Sequence, residues 1–307
     1  MSGERSPDDG NPAAGADTLA IAAGAGPLPR RLIAACHDRA VPVLVLAFEG
    51  QTDAETAEGV PHLWSRLGAA GSLVDRLARD GVRRIVLAGS FRRPGLMELR
   101  PDWATARLLP RLGLGSLGDD AVMRRIEAIL AEKGIRVIGV QDVLGEDLAV
   151  PGRLTRAEPD DLARADVARA RLVARAIGRL DAGQGAVVQQ GVVLAVEAAE
   201  GTDAMLARCA GLRREGPGGV LVKARKPQQD DRLDLPTIGA TTVEAAAAAG
   251  LRGIAVEAGG ALIVDRKAVA AAADRLGLFV LVLEPDPEPE VGPGSGIGSS
   301  FGEEAGR

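Results

Sequence analysis

Short apolar runs recur along the chain, and most are followed by a glycine-bearing turn and then by a stretch with helical spacing. The run at 19–23 ends in Gly24-Ala25-Gly26-Pro27, and 28–39 then places apolar residues at intervals of three and four. A second run covers 43–48. The stretch 73–80 reads as a helix closed by Gly81, and 84–88 as a strand that ends at Gly89-Ser90. Asp119 and Asp120 precede a helical pattern at 121–133, where acidic residues suit the N-terminal end of the helix dipole, and 136–140 follows as a strand. Alternation of this kind needs parallel strands with helical crossovers, so the first half predicts a doubly wound, Rossmann-like α/β domain over 19–147.

The segment 148–159, LAVPGRLTRAEP, interrupts the rhythm with Pro and Gly and is the expected linker. Asp160 or Asp161 then caps a helix running to Leu180. Residues 186–188 and 192–196 flank Gln190-Gly191, the signature of a hairpin. Further strands are expected at 220–223, 253–256, 262–264 and 278–283, with helices at 242–249 and 266–276. The second domain, 160–284, is therefore also α/β, and its hairpin makes the sheet mixed. The ends, 1–18 and 285–307, are polar and rich in Gly, Pro and acidic residues, which predicts disorder.

Composition narrows the function. The chain has 307 residues, 46% hydrophobic and 26% charged, with 2% aromatic residues and no Tyr. That argues against serial stacking of nucleobases, and a net charge of −5 argues against sequence-independent nucleic-acid binding. Cys36 and Cys209 fit no zinc or redox spacing and are expected as buried apolar residues. With His37 and His62 as the only histidines, a His-rich dinuclear metallophosphatase is excluded, and acid–base work falls to carboxylates and lysines. No apolar run is long enough to span a bilayer and the first residues lack a signal-peptide core, so a cytoplasmic protein is expected, with transient contact at the inner-membrane surface left open.

The densest chemistry lies in 219–239, GVLVKARKPQQDDRLDLPTIG. Lys223, Arg225 and Lys226 precede a polar bend; Asp230, Asp231 and Asp234 follow it. Cations that hold phosphate oxygens, next to carboxylates that hold a metal or a water, are the groups phosphoanhydride chemistry uses. A solvated charged loop is the alternative. Asp234, framed by Leu233, Leu235 and Pro236, stands out as the carboxylate in a restricted setting.

Other candidates surround ligand-edge turns. Gly24, Ala25 and Gly26 lie between a strand and a helix, where backbone N–H groups can meet a phosphate, although Pro27 removes one donor. Glu49 sits where a ribose-binding acid of a dinucleotide site would be, which keeps an NAD-linked oxidoreductase open. Ser90 and Arg93 follow the third strand, and Arg93 is placed to clamp a phosphate. Gln184 and Gly185 precede the hairpin, and Thr202 and Asp203 follow it.

Taken together these motifs resemble the UDP-2,3-diacylglucosamine pyrophosphatase family of the lipid A pathway, in the type once known only as a conserved domain of unknown function. The resemblance runs from about Leu19 to about Glu284 and is strongest in IGRLDAGQGAVVQQGVVLAVEAAEGTDAM (177–205), KARKPQQDDRLDLPTIG (223–239) and DRLGLFVL near the end. It implies cleavage of the UDP-sugar pyrophosphate to UMP and 2,3-diacylglucosamine 1-phosphate with a divalent cation, usually Mg²⁺, in a cleft between two α/β domains. The aspartate of the DLPTIG motif, here Asp234, is the catalytically essential residue the resemblance implies; it either ligates Mg²⁺ or orients the attacking water, while Lys223 lines the cleft and offsets charge on the pyrophosphate. The turns carrying Gly24, Ala25, Gly26, Ser90, Arg93, Gln184, Gly185, Thr202 and Asp203 would line the substrate cleft. Ala25 stands where the family commonly has a third Gly, and Ser90 where it has Asn. A silent UDP-sugar-binding protein and a homodimer also stay open.

Overall fold

The computed structural model describes residues 15–92, 96–112, 119–227, 232 and 235–285. Asp230, Asp231, Asp234 and Arg93, and most of both predicted disordered tails, lie outside the described residues.

The first sheet has strands β1 (Leu19–Ala23), β2 (Val43–Phe48), β3 (His62–Ser65), β4 (Arg84–Ala88) and β5 (Arg136–Val137). Their order is β3-β2-β1-β4-β5 and every pair is parallel. Strands β1 and β2 are buried at every position, as parallel strands covered by helices on both faces must be. Alternation divides their side chains between two cores. Leu19, Ile21, Val43 and Val45 pack with the helix Leu28–Asp38, whereas Ala20, Ala22, Leu44 and Leu46 pack with the helix Ala70–Arg79. Strand β3 escaped the sequence reading because HLWS alternates exposed with half-buried positions at a sheet edge and shows no apolar run. The expected strand at 136–140 is shorter, because Val140 already opens a helical turn, Val140–Val143, whose entry is held by the Asp142 carboxylate accepting from the Gly139 N–H at 2.9 Å.

In the second half, β6 (Gly152–Arg153), β7 (Gly185–Gln189), β8 (Val192–Val196), β9 (Val220–Lys223), β11 (Gly253–Glu257) and β13 (Phe279–Leu283) form a six-stranded sheet in the order β6-β13-β11-β9-β7-β8. Strands β9, β11 and β13 run parallel; the hairpin β7–β8 and the edge strand β6 are antiparallel, so the sheet is mixed, as expected. Gln190 and Gly191 both take positive φ, 52° and 73°, the geometry a two-residue hairpin requires. Asp166 accepts both turn N–H groups, at 2.9 and 2.7 Å, which holds Gln190 in a conformation costly for a side chain.

The expected strand at 262–264 belongs elsewhere. β10 (Thr237–Ile238) and β12 (Leu262–Ile263) form a separate parallel pair. This pair sits where the halves meet: Leu148 bridges Leu262, and Ala149 donates to Ala261 O at 2.9 Å. Leu235, Leu262 and Val264 pack in the same core as Leu28, Leu32 and Val143 of the first half.

Candidate functional site

Two groups of predicted residues are assembled, at separate places. The first is at the carboxyl edge of the parallel sheet. Ala25 and Ser90 pair as an isolated antiparallel bridge, each N–H donating to the other's carbonyl at 2.9 Å. The approach is so close that a Cβ on Gly24 would lie 2.5 Å from Ser90 O, and one on Gly89 2.6 Å from Ala25 O. Glycine is thus needed to stitch the two turns together. Gln51, buried, reads both the N–H and the carbonyl of Arg92, at 2.7 and 3.1 Å, and Phe91 packs edge-on against Phe48.

The donors of this turn are already used. Gly24 N–H donates to Ala88 O at 2.7 Å, Ala25 N–H to Ser90 O, and Gly26 N–H to the Asp53 carboxylate at 2.8 Å; Pro27 has none. A carboxylate therefore holds the place at which a dinucleotide pyrophosphate would approach, which weighs against the NAD-linked alternative. Glu49 is exposed at the end of β2.

The second group surrounds the end of β9. Lys223 is the last residue of that fully buried strand and is 5% exposed. Its Nζ donates to Thr202 Oγ1 at 2.8 Å and to Thr237 O at 3.4 Å. Thr202 Oγ1 in turn donates to Glu197 Oε1 at 2.6 Å. Glu197, just past β8 and 7% exposed, keeps its other carboxylate oxygen, Oε2, buried and without a hydrogen-bond partner. Gln184 Oε1 is likewise buried and unpartnered. Burying an ammonium and a carboxylate costs several kcal/mol each, of order, unless interactions offset it, so such a chain is an unusual thing for a core to contain.

This arrangement explains the Gly-Gln-Gly turn. A Cβ on Gly183 would fall 2.0 Å from Glu197 O, and one on Gly185 2.8 Å from Glu197 Oε2. The glycines admit Glu197 itself. Thr202 is in place because 201–209 is a helix, Gly201–Cys209, rather than the turn the sequence suggested; Asp203 is exposed in its first turn, where a negative charge favours the helix dipole.

Of the segment's other two cations, Lys226 faces elsewhere. Lys226, 9% exposed, forms an ion pair with Asp181 at 2.7 Å, and Arg225 packs beside Gly260. The sequence sets Glu197 and Glu200 near Asp203 without fixing which side each faces, and the structure turns Glu197 into the buried chain with Thr202 and Lys223. For the lysines a signal existed: among 37 basic residues only Lys133, Lys223, Lys226 and Lys267 are lysine. A chain that otherwise uses arginine but keeps a compact ammonium at two buried positions is marking them.

The groups are not joined. Among the described residues no hydrogen bond or ion pair links Gly24, Ala25, Gly26 or Ser90 to Lys223, Thr202 or Glu197. Arg232, two positions before Asp234, pairs with Glu127 at 2.6 Å and borders a cavity of about 430 Å³ with Arg39, Arg84 and Arg136. Arg84 and Arg136 begin β4 and β5, so this cavity lies at the sheet edge opposite the stitched turns. Cys36 lines it; its thiol, and that of Cys209, is buried, free and pushed above the ordinary value by desolvation.

Comparison with known proteins gives two family models in tandem, the LpxI N-terminal domain over residues 18–147 and the LpxI C-terminal domain over 150–281. A protein of Caulobacter vibrioides named UDP-2,3-diacylglucosamine pyrophosphatase LpxI is 43% identical over 274 residues, covering 87% of this chain and 98% of that protein. A solved structure, the biotin carboxylase subunit of pyruvate carboxylase, aligns with 56% of this chain and 34% of its own at 13% identity and a TM-score of 0.23, a likeness too slight to bear on fold or function.

Proposed function

Since this chain belongs to the LpxI family, matched along both of that family's domains, we propose that it hydrolyses the pyrophosphate of UDP-2,3-diacylglucosamine to UMP and 2,3-diacylglucosamine 1-phosphate in lipid A biosynthesis. The observation that carries this reading is the likeness to the Caulobacter pyrophosphatase along 98% of its length.

Lys223 and the stitched turns support the following mechanism. Water adds to one phosphorus, the bridging P–O bond breaks, and the proton of the attacking water passes to a product phosphate oxygen or to solvent. Lys223, held at the carboxyl edge of β9, offsets charge on the pyrophosphate oxygens as the bond breaks. Asp234 either orients the attacking water or ligates the metal. The parallel first domain offers the stitched turns of Gly24, Ala25 and Ser90 as a second wall, and Arg93 a phosphate clamp. Closure of the two halves brings this wall to the diphosphate and excludes bulk water.

Mg²⁺ is the cation this reading assigns to the reaction. No three His, Cys, Asp or Glu side chains converge among the described residues, and Mg²⁺ is ordinarily held by one or two carboxylates, waters and substrate phosphates. Asp234 would be the carboxylate, and the ion when bound neutralises charge on the phosphate oxygens.

No helix among the described residues is long and apolar enough to cross a membrane. The lipid substrate is met by transient contact with the inner-membrane surface, from the cytoplasmic side.

The test is direct. Chromatography that resolves UMP from intact UDP-lipid should show release by the wild-type chain, dependence on added Mg²⁺, and a loss of about a hundredfold or more in Asp234→Ala, the scale expected for one electrostatic group. Absence of UMP release by the wild type, or its persistence in Asp234→Ala, overturns the assignment.

A further inference from the structure

Glu197 carries no role in the chemistry set out above, yet it is buried, charged and tied to the one lysine that has such a role. We infer that Glu197 is a positioning residue: acting through the Thr202 hydroxyl, it fixes where the Lys223 ammonium points. This rests on the reading of Lys223 as the cation that meets the pyrophosphate.

A lysine ammonium has three N–H donors and no acceptor, and a threonine hydroxyl has one donor and two acceptor sites. Since Lys223 donates to Thr202 Oγ1 at 2.8 Å, the hydroxyl proton must leave in another direction, and the group found there is Glu197 Oε1 at 2.6 Å. The chain has a single polarity, from ammonium to hydroxyl to carboxylate. Each bond polarises the next, and at low local dielectric such charge-assisted bonds are short and strong.

Three elements hold the carboxylate rigid. Glu197 N–H donates to Gly185 O at 2.8 Å, continuing the β7–β8 ladder past its end. Gly183 and Gly185 leave room for its backbone and for Oε2. The helix beginning at Gly201 delivers Thr202 to it. On the other side, Lys223 reaches Thr237 O in the strand that follows Asp234. The ammonium is therefore held between Thr202 and the backbone of the DLPTIG segment, leaving its third N–H for substrate. A side chain retained only for packing would not need a charge: a buried carboxylate separated from its cation by a hydroxyl is poor value for stability compared with an apolar residue of the same size.

The test pairs kinetics with a signal from Lys223 itself, in the full chain. Glu197→Gln keeps the shape and an acceptor but removes the charge; Thr202→Val keeps the shape and breaks the relay; Thr202→Ser restores it. Expected are losses in kcat of about tenfold to a hundredfold for Glu197→Gln and Thr202→Val with KM changed by less than about threefold, near wild-type kcat for Thr202→Ser, and a double variant no worse than the poorer single one. In protein carrying ε-¹³C lysine, with signals only from Lys133, Lys223, Lys226 and Lys267, the Lys223 resonance should shift in Glu197→Gln and Thr202→Val while that of Lys267 stays. Wild-type kcat in Glu197→Gln, additive losses in the double variant, or an unmoved Lys223 resonance overturns the inference. If the wild type released no UMP, the functional reading would fail by itself, and the resonance of Lys223 would still decide whether Glu197 positions it.

Discussion

Leu235 and Ile238 stand three positions apart in the segment that follows Asp234, and their side chains end in different hydrophobic cores. Leu235 packs with Leu28, Leu32 and Val143 of the first half; Ile238 packs with Val243, Ile254 and Ile263 of the second. Both are buried, at 5% and 1% exposure. The DLPTIG segment is thus pinned to both halves, and Lys223 touches it at Thr237. Leu235→Ala removes one pin. We expect a loss of about 2–5 kcal/mol in denaturant unfolding, the range for deleting a buried leucine, together with easier proteolysis between the halves.

Gly183 and Gly59 separate crowding from backbone strain. A methyl at Gly183 would lie 2.0 Å from Glu197 O, while Gly59, at φ 72°, has nothing near it. Gly183→Ala should displace Glu197 and lower both stability, by about 1–3 kcal/mol, and UMP release. Gly59→Ala should cost about 1–2 kcal/mol from left-handed strain and leave kcat unchanged. Melting curves and initial rates on the same preparations decide it.

Glu257 accepts from Arg171 Nε at 2.7 Å and Arg175 Nε at 2.8 Å, and is 5% exposed at the end of β11. Removing Glu257 takes the shared carboxylate from two largely buried guanidinium groups. Glu257→Ala should lower unfolding stability by about 3–5 kcal/mol, whereas Lys133→Ala, which breaks an exposed pair with Asp75, should cost less than about 1 kcal/mol.

Asp160 caps the helix Asp161–Arg179. The Ala163 backbone N–H, at 2.7 Å, and then the Arg252 guanidinium, at 2.8 Å, hold its carboxyl below the usual carboxylate range. Because the folded value is depressed, the stabilisation is complete above the unfolded value of 3.8 and is lost as pH falls through the folded one. The gap in melting temperature between wild type and Asp160→Ala should be widest near neutral pH and narrow in acid below the folded value. A gap that widens in acid would contradict it.

Much of the architecture could be read in one dimension. The runs at 19–23, 43–48 and 84–88 are apolar at nearly every position because they are buried on both faces, and that is a local property. Gln190-Gly191 announces a hairpin for the same reason, since positive φ at two residues is demanded by the turn itself. Edge strands such as His62–Ser65 carried no comparable mark, because one face and one edge remain in water.

The site divides along the same line. Sequence alone determined the alternation of the two halves, the mixed character of the second sheet, and the gathering of Lys223 and three aspartates within one segment. Only tertiary structure decided that Lys223 rather than Arg225 or Lys226 meets Thr202, that Gly183 and Gly185 are small to admit Glu197, and that Leu235 and Ile238 belong to opposite cores. Those outcomes depend on contacts between residues tens of positions apart, which strand pairing and helix packing bring together and which no local periodicity encodes.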